Sequence, residues 1–244
     1  MGLLPDEMLE RSGVVANCRM NRDRVLTGTN GYAHDLKFNP FDFLRQRILQ
    51  NGTAGWLDLC CGAGNALAEA SRAAEEAGIS RDLAIVGVDL VGMFGAAARD
   101  RENVTLIEAS LSSWEPERRF DLITCVHGLH YIGDKLGLIG RAVSWLDEGG
   151  IFAAHLDLEN IVVEGKSSAR RILLSEFRKN LLEYDVRRKI VRGNGRRRIE
   201  FSLEYLGGDD SAGPNFTGAA GDEFALPGGL SGGNCKREFP CPCC

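Results

Sequence analysis

From Trp56 onward, short apolar runs alternate with longer stretches in which apolar residues recur every three or four positions. The runs "WLDL", "LAIVGVDL", "VTLIEA", "FDLITCVHG" and "IFAAHLDL" read as strands. Between them, "NALAEASRAAEEAG" closed by Gly78, "MFGAAARDR", and "KLGLIGRAVSWL" ending at "DEGG" read as helices. The strand runs lack polar alternation, so both of their faces are buried, and helical crossovers join parallel neighbours. The expected class is therefore α/β: a doubly wound sheet of five parallel strands with helices on both faces.

The flanks differ. "FNPFDFLRQRILQNG" predicts a helix from Pro40 to Gly52 with Phe41, Leu44 and Ile48 on one face. Met1 to Phe38 is mixed and weakly periodic, short helices and loops. "SARRILLSEFRKNLLEYDV" predicts an amphipathic helix with Leu173, Phe177, Leu181 and Tyr184 on its apolar stripe. "RRKIVRGNGRRRIEFSLEYL" then predicts an antiparallel hairpin turning at Asn194-Gly195. In its second strand Ile199, Phe201, Leu203 and Tyr205 alternate with polar residues. The sheet would thus have seven strands. The expected division is an N-terminal helical cap over 1–40, a central domain over 41–206, and a flexible, Gly-rich, Cys-ending tail over 207–244.

Composition narrows the function classes. A chain of 244 residues, 44% apolar and 26% charged, suits one sizeable soluble domain with small additions. A formal charge of −5 disfavours bulk nucleic-acid binding. No apolar run reaches the roughly 20 residues of a membrane span, and "MGLLPDEMLERSG" does not read as a secretory signal. The expectation is a cytoplasmic protein with no membrane partner. Cys60, Cys61 and Cys125 lie in apolar settings where a thiol packs as a small hydrophobe. The terminal "NCKREFPCPCC" has neither paired CxxC spacing nor histidine, so no metal site is expected there; it reads as a disordered or non-native end after the linker-like "PGGLSGG".

The stretch "LDLCCGAGNAL" carries the chemistry. Gly62 and Gly64 lie between a strand and a helix, where missing side chains let backbone N–H groups approach a ligand. Asp58 precedes them at the strand end, a carboxylate suited to a cationic group, and no third glycine completes a dinucleotide fingerprint. The next strand ends in Asp89, where a carboxylate can accept from two ribose hydroxyls.

Together, "WLDLCCGAGNALAEA", "IVGVDL", "VTLIEASL", "FDLITCVHGLHYI" and "LDEGGIFAAH" resemble, in order and spacing, the core of the class I S-adenosylmethionine-dependent methyltransferases. The resemblance covers roughly Phe41 to Leu206 and implies a Rossmann-like fold with S-adenosylmethionine as cofactor and S-adenosylhomocysteine as product. It implies that Asp58 and the Gly62–Gly64 backbone hold the methionine end, that Asp89 holds the ribose, and that Leu90 packs on the adenine. Ser110 and Leu111 would border the adenine edge, and the backbone near Val126 would line the channel beside the sulfonium. Two departures stand out. Cys60 replaces the usual first glycine, so its backbone should adopt angles a non-glycine tolerates, and Ser110 stands where the family often has Asp.

In-line methyl transfer needs mainly positioning and exclusion of water, with a base where the acceptor is a hydroxyl. His127 in "CVHGLHYIGD" is the leading candidate for base or substrate contact, weighed against a packing role. His130 and Tyr131 are weaker candidates, and His155 is weaker still. Tyr32 in "TNGYAHDL" is the candidate lid residue over the cofactor. The expected reaction is transfer to an N or O atom of a small, secondary-metabolite-type acceptor. The oligomeric state stays open between monomer and homodimer. A nicotinamide oxidoreductase, a non-catalytic methyltransferase-like binding protein and an RNA methyltransferase are the other readings. The last would use residues 166–198, which carry twelve Lys or Arg against three acidic residues. A solvated helix face and edge hairpin explain that charge at least as well.

Overall fold

The computed structural model describes residues 3–11, 23–166, 168–209 and 223–226. Cys18 and the four terminal cysteines lie outside them. The strands are β1 (Ala54–Leu59), β2 (Leu83–Asp89), β3 (Val104–Glu108), β4 (Phe120–Cys125), β5 (Leu146–His155), β6 (Ile161–Val163), β7 (Glu183–Asp185), β8 (Ile190–Asn194), β9 (Gly207–Asp209) and β10 (Glu223–Leu226). The helices are α1 (Asp6–Leu9), α2 (Tyr32–Leu36), α3 (Pro40–Asn51), α4 (Asn65–Glu76), α5 (Ala96–Arg99), α6 (Lys135–Ser144) and α7 (Arg170–Lys179).

The main sheet has seven strands in the order β3-β2-β1-β4-β5-β8-β7. β1 to β5 are parallel, β8 is antiparallel to β5, and β7 is antiparallel to β8. This is the α/β, Rossmann-like, doubly wound sheet expected from the periodicity. Every residue of β1 and β4 is buried, as central strands between two helical layers must be. Trp56, Leu122 and Ala153 pack with Leu44 and Ile48 of α3 on one side. Leu57, Ile123 and Phe152 pack with Leu138, Ile139, Ala142 and Val143 on the other. Each fully buried large apolar side chain contributes about 1.5–3 kcal/mol. The side-chain oxygen of Asn39 caps α3 and Gly52 (φ 84°) closes it, the boundary read from the sequence.

The C-terminal hairpin is displaced from its expected place. It turns over residues 186–189, not at Asn194-Gly195. Asp185 Oδ1 accepts from the backbone N–H groups of Arg187 and Arg188 (3.0 and 2.9 Å), and Lys189 takes φ 55° to start β8. The amphipathic pattern runs on through Tyr184, but α7 stops at Lys179 and the chain leaves it through Leu181 in a left-handed conformation. After Asn194 the chain departs from the sheet, pinned by Arg197, which donates to the carbonyls of Asn180, Leu181 and Asn194. Ile199, Phe201, Leu203 and Tyr205 keep their alternation but pack on the helical layer without becoming a strand.

Residues 207–209 and 223–226, placed in a flexible tail by composition, form β9 and β10 of a three-stranded sheet ordered β6-β10-β9. The rest of that tail lies outside the described residues. Leu4 and Gly208 exchange backbone hydrogen bonds (2.8 and 3.0 Å), which sets α1 against β9. Among the described residues no helix is long and apolar enough to cross a membrane.

Candidate active site

The carboxyl ends of β1, β2 and β4 meet at one cleft of about 630 Å³, counting its open mouth, within the range of small-molecule sites. The turn after β1 forms its floor. Cys60 (φ 57°), Gly62 (φ 58°) and Gly64 (φ 77°) are all left-handed, which folds the chain back so that Gly64 N–H donates to the Cys61 carbonyl (3.1 Å) and α4 begins. Cys60 therefore does not adopt angles comfortable for a side chain; the left-handed conformation costs about 1–2 kcal/mol. Packing offsets this. The Cys60 side chain fills the space over Gly128, where an added Cβ would come within 2.4 Å of it. Its free thiol hydrogen-bonds with that of Cys125, and this contact together with burial pushes its pKa up. Cys61 fills the matching space over Gly87, whose Cβ would meet the Cys61 sulfur at 2.8 Å. The two cysteines are packing residues on opposite sides of the turn.

Asp89 ends β2 at the cleft. Its Oδ2 accepts from Gly62 N–H (3.0 Å) and its Oδ1 from Val91 N–H (3.1 Å), so the carboxylate is aimed by the backbone on both sides. Leu90 and Leu111 line the cleft beside it, with Cys60 and Gly62 beneath. Val126, His127 and Tyr131, from the segment after β4, form the facing wall.

Five of the expected site residues lie elsewhere. Asp58 is fully buried under the turn, with Oδ1 accepting from Thr124 (2.5 Å) and Oδ2 from Tyr32 (2.8 Å). Trp56 Nε1 donates to the same Thr124 hydroxyl (2.8 Å), completing a buried chain across two strands and the N-terminal segment. Burial raises the Asp58 carboxyl to about 7 against both hydrogen bonds, and the Asp89 charge adds to the rise. Tyr32 is thus a buried strut, edge-on to Trp56 with ring centroids 6.1 Å apart, and burial beside Asp58 pushes its own pKa up. Gly64 packs against Ala98 and Leu106, behind the cleft. Ser110 donates to Glu10, and its oxygen lies 2.6 Å from the Ser112 hydroxyl. His130 is fully buried in the short 3₁₀ turn Leu129–Tyr131, and burial, the neighbouring His127 and then Lys135 hold it well below the usual histidine range.

His127 is the most unusual residue of the wall. It follows β4 with φ 58°, a strained value for a non-glycine residue of the kind that concentrates at functional sites. Its ring stacks on His155 at the end of β5. Its Nε2 lies 3.3 Å from Asp35 Oδ2, and Asp35 pairs with Arg24. Burial alone would raise Asp35, but His127 and Arg24 outweigh it and hold the carboxyl at about 2. Burial lowers the pKa of His127 despite that hydrogen bond, so the ring is neutral near pH 7. Burial, then the facing His127, hold His155 at about 3. Arg24, Asp35 and Glu10, which reaches the cleft from the end of α1, had no signal in the sequence. They come from a segment without periodicity and matter only because the fold lays it across the strand ends.

A family model described as "Methyltransferase domain" matches residues 32–188. The chain belongs to the class I S-adenosylmethionine-dependent methyltransferases. The sheet order, the glycine turn and the acidic end of β2 agree with that membership. A search of curated proteins finds no match. Among solved structures, the plantazolicin methyltransferase BpumL bound to S-adenosylhomocysteine is 14% identical, with TM-score 0.38, covering 47% of this chain and 44% of that one. CalS10 from Micromonospora echinaspora, an amino pentose methyltransferase involved in calicheamicin biosynthesis, is 22% identical with TM-score 0.36, covering 47% and 48%. The [4+2]-cyclase SpnF is 21% identical with TM-score 0.39, covering 52% and 46%. The chain spans about half the length of the solved structures it matches.

Asp89, aimed by two N–H groups, and the apolar wall of Leu90 and Leu111 suit a ribose and a flat base. Asp58, expected at the methionine end, does not line this cleft, and both of its oxygens accept from Thr124 and Tyr32, whereas Cys60 and Gly62 of the turn do line it. Among the described residues no cluster of His, Cys, Asp or Glu could hold a metal ion. Part of the basic stretch 166–198 is occupied within the fold: Arg188 pairs with Asp185 (2.7 Å), Lys179 with Glu176 (2.6 Å), Lys189 with Asp157 (2.6 Å), and Arg197 with backbone carbonyls.

Proposed function

We propose that this methyltransferase moves a methyl group to an N or O atom of a small, secondary-metabolite-type acceptor. The observation that carries the reading is the convergence of the Cys60–Gly62 turn, Asp89 and His127 on one cleft. When bound, S-adenosylmethionine supplies an electrophilic methyl group on its sulfonium. The residues of the chain do the rest. Asp89 accepts from the ribose hydroxyls. Leu90 and Leu111 exclude water from the base, and the backbone from Val126 to Gly128 lies where donor and acceptor meet.

His127 is proposed as the residue that takes the acceptor's proton. An ionised Asp35 can only accept a hydrogen bond, so Nε2 of His127 carries the hydrogen and Nδ1, which is buried in this structure, is the unprotonated atom. The ring is neutral near pH 7, as a base requires. Asp35 is a positioning residue that fixes this tautomer, and Arg24 keeps Asp35 charged. A hydroxyl acceptor would draw on this arrangement most, because an uncharged amine needs no strong base.

The domain division belongs to the same proposal. Residues 1–40 act as a cap, since Glu10 lines the cleft and Asp35 reaches His127 from it, while 41–206 binds the cofactor and 207–244 is a Gly-rich, Cys-ending tail. The test is calorimetric titration of the full chain with S-adenosylmethionine and S-adenosylhomocysteine. Micromolar binding that Asp89→Ala abolishes supports the reading. No heat and no thermal shift with either ligand would end it.

A further inference from the structure

Among the described residues lining the cleft, the acidic side chains are Asp89 and Glu10. Glu10 comes from the N-terminal segment, held in place by the buried Leu9 and by the backbone pairing of Leu4 with Gly208. Ser110 donates its hydroxyl to the Glu10 carboxylate and accepts from Ser112 N–H (3.1 Å). Ala109 and Leu111, the neighbours of Ser110, both line the cleft. The anchor therefore fixes Glu10 beside Ser110, whose neighbours Ala109 and Leu111 form part of the cleft wall.

A half-buried carboxylate on the wall of a cleft can serve recognition: it accepts from a donor that would otherwise lose its water, and it repels a lone pair. The Ser110 bond spends part of its acceptor capacity and leaves the rest to the cleft. We infer that Glu10 is the residue that reads the nucleoside base, accepting from an exocyclic amino group and rejecting a base that carries a carbonyl there. This rests on the cofactor reading above and assigns the base contact to the cap. Ser110, expected to border the base itself, acts instead by positioning Glu10.

The experiment compares binding of S-adenosyl-L-homocysteine with that of S-inosyl-L-homocysteine, whose base has a carbonyl oxygen in place of the amino group, by calorimetry on the full chain. The wild type should favour the amino ligand by about 10- to 100-fold. In Glu10→Gln, whose amide both donates and accepts, the ratio should collapse to within about threefold. Ser110→Ala keeps the carboxylate but frees it, and should lower the ratio to an intermediate value even if Glu10→Gln does not fold. Binding of both ligands with an unchanged ratio in both variants, or a wild-type ratio near one, overturns the assignment of Glu10 and leaves the cofactor reading standing. Failure of the wild type to bind either ligand removes both.

Discussion

The imidazole rings of His127 and His155 stack face to face, with centroids 4.0 Å apart and planes 9° from parallel. Neither ring can gain a proton without placing a positive charge against the other, and Arg24 adds to the repulsion while Asp35 opposes it. The unfolded chain protonates a histidine near pH 6.5, whereas the folded protein holds His155 neutral down to about 3. Stability from this group is therefore intact above 6.5 and drains away as pH falls to 3, by an amount on the order of a few kcal/mol. His155→Phe keeps a stacked ring without the titration. Its urea midpoint relative to wild type should rise steadily between pH 6.5 and 3; a flat difference would refute the account.

Asp58 has the opposite sign. Its folded pKa of about 7 exceeds the unfolded value near 3.9, so the stability it brings is full below about pH 4 and is lost as pH rises to 7. Asp58→Asn removes that titration, with the amide still bonded to Thr124. The variant's stability relative to wild type should increase from pH 4 to 7 and then level off in chemical denaturation. A difference independent of pH would show that Asp58 is ionised throughout.

The contact between Cys60 and Gly128 predicts a coupled pair. Gly128→Ala would bring a methyl within 2.4 Å of the Cys60 Cβ and 2.8 Å of the Cys125 sulfur, costing about 1–3 kcal/mol. Cys60→Gly relieves the left-handed strain and vacates that space, so the double variant should be more stable than the two single effects predict. Additive effects would mean that the backbone moves apart instead.

For catalysis, His127→Ala should lower kcat by about 100-fold or more with a hydroxyl acceptor while leaving S-adenosylhomocysteine affinity within about threefold. Asp35→Asn should lower kcat less and shift the acidic limb of the pH–rate profile, because it disturbs the tautomer without removing the base. Unchanged turnover in both variants would assign His127 to packing.

The sequence made the sheet legible because its central strands are buried on both faces and their apolar runs have no competing period. The hairpin was misplaced because β7 is three residues long and lies inside an apolar spacing that continues from α7, while Asn194-Gly195, a good turn dipeptide, serves here to leave the sheet. In the site, Asp89, Leu90 and His127 were visible because they sit at strand ends, where topology places ligands. Asp58 was visible as a residue but not as a buried one: its partners, Tyr32 and Thr124, lie 26 and 66 positions away. Glu10 could not be found at all, since only the tertiary fold brings it to Ser110, 100 residues along the chain.

The Trp56–Thr124–Asp58–Tyr32 chain also joins residues that are synthesised far apart. During synthesis the N-terminal segment and β1 emerge first, yet Asp58 has no Thr124 to bond until β4 has followed, and β1 lies unpaired between neighbours that do not yet exist. Burying that carboxyl without the Thr124 hydroxyl would leave one of its oxygens without a donor. The first part of the chain to be made thus belongs to a hydrogen-bonded chain that is complete only once residue 124 has followed.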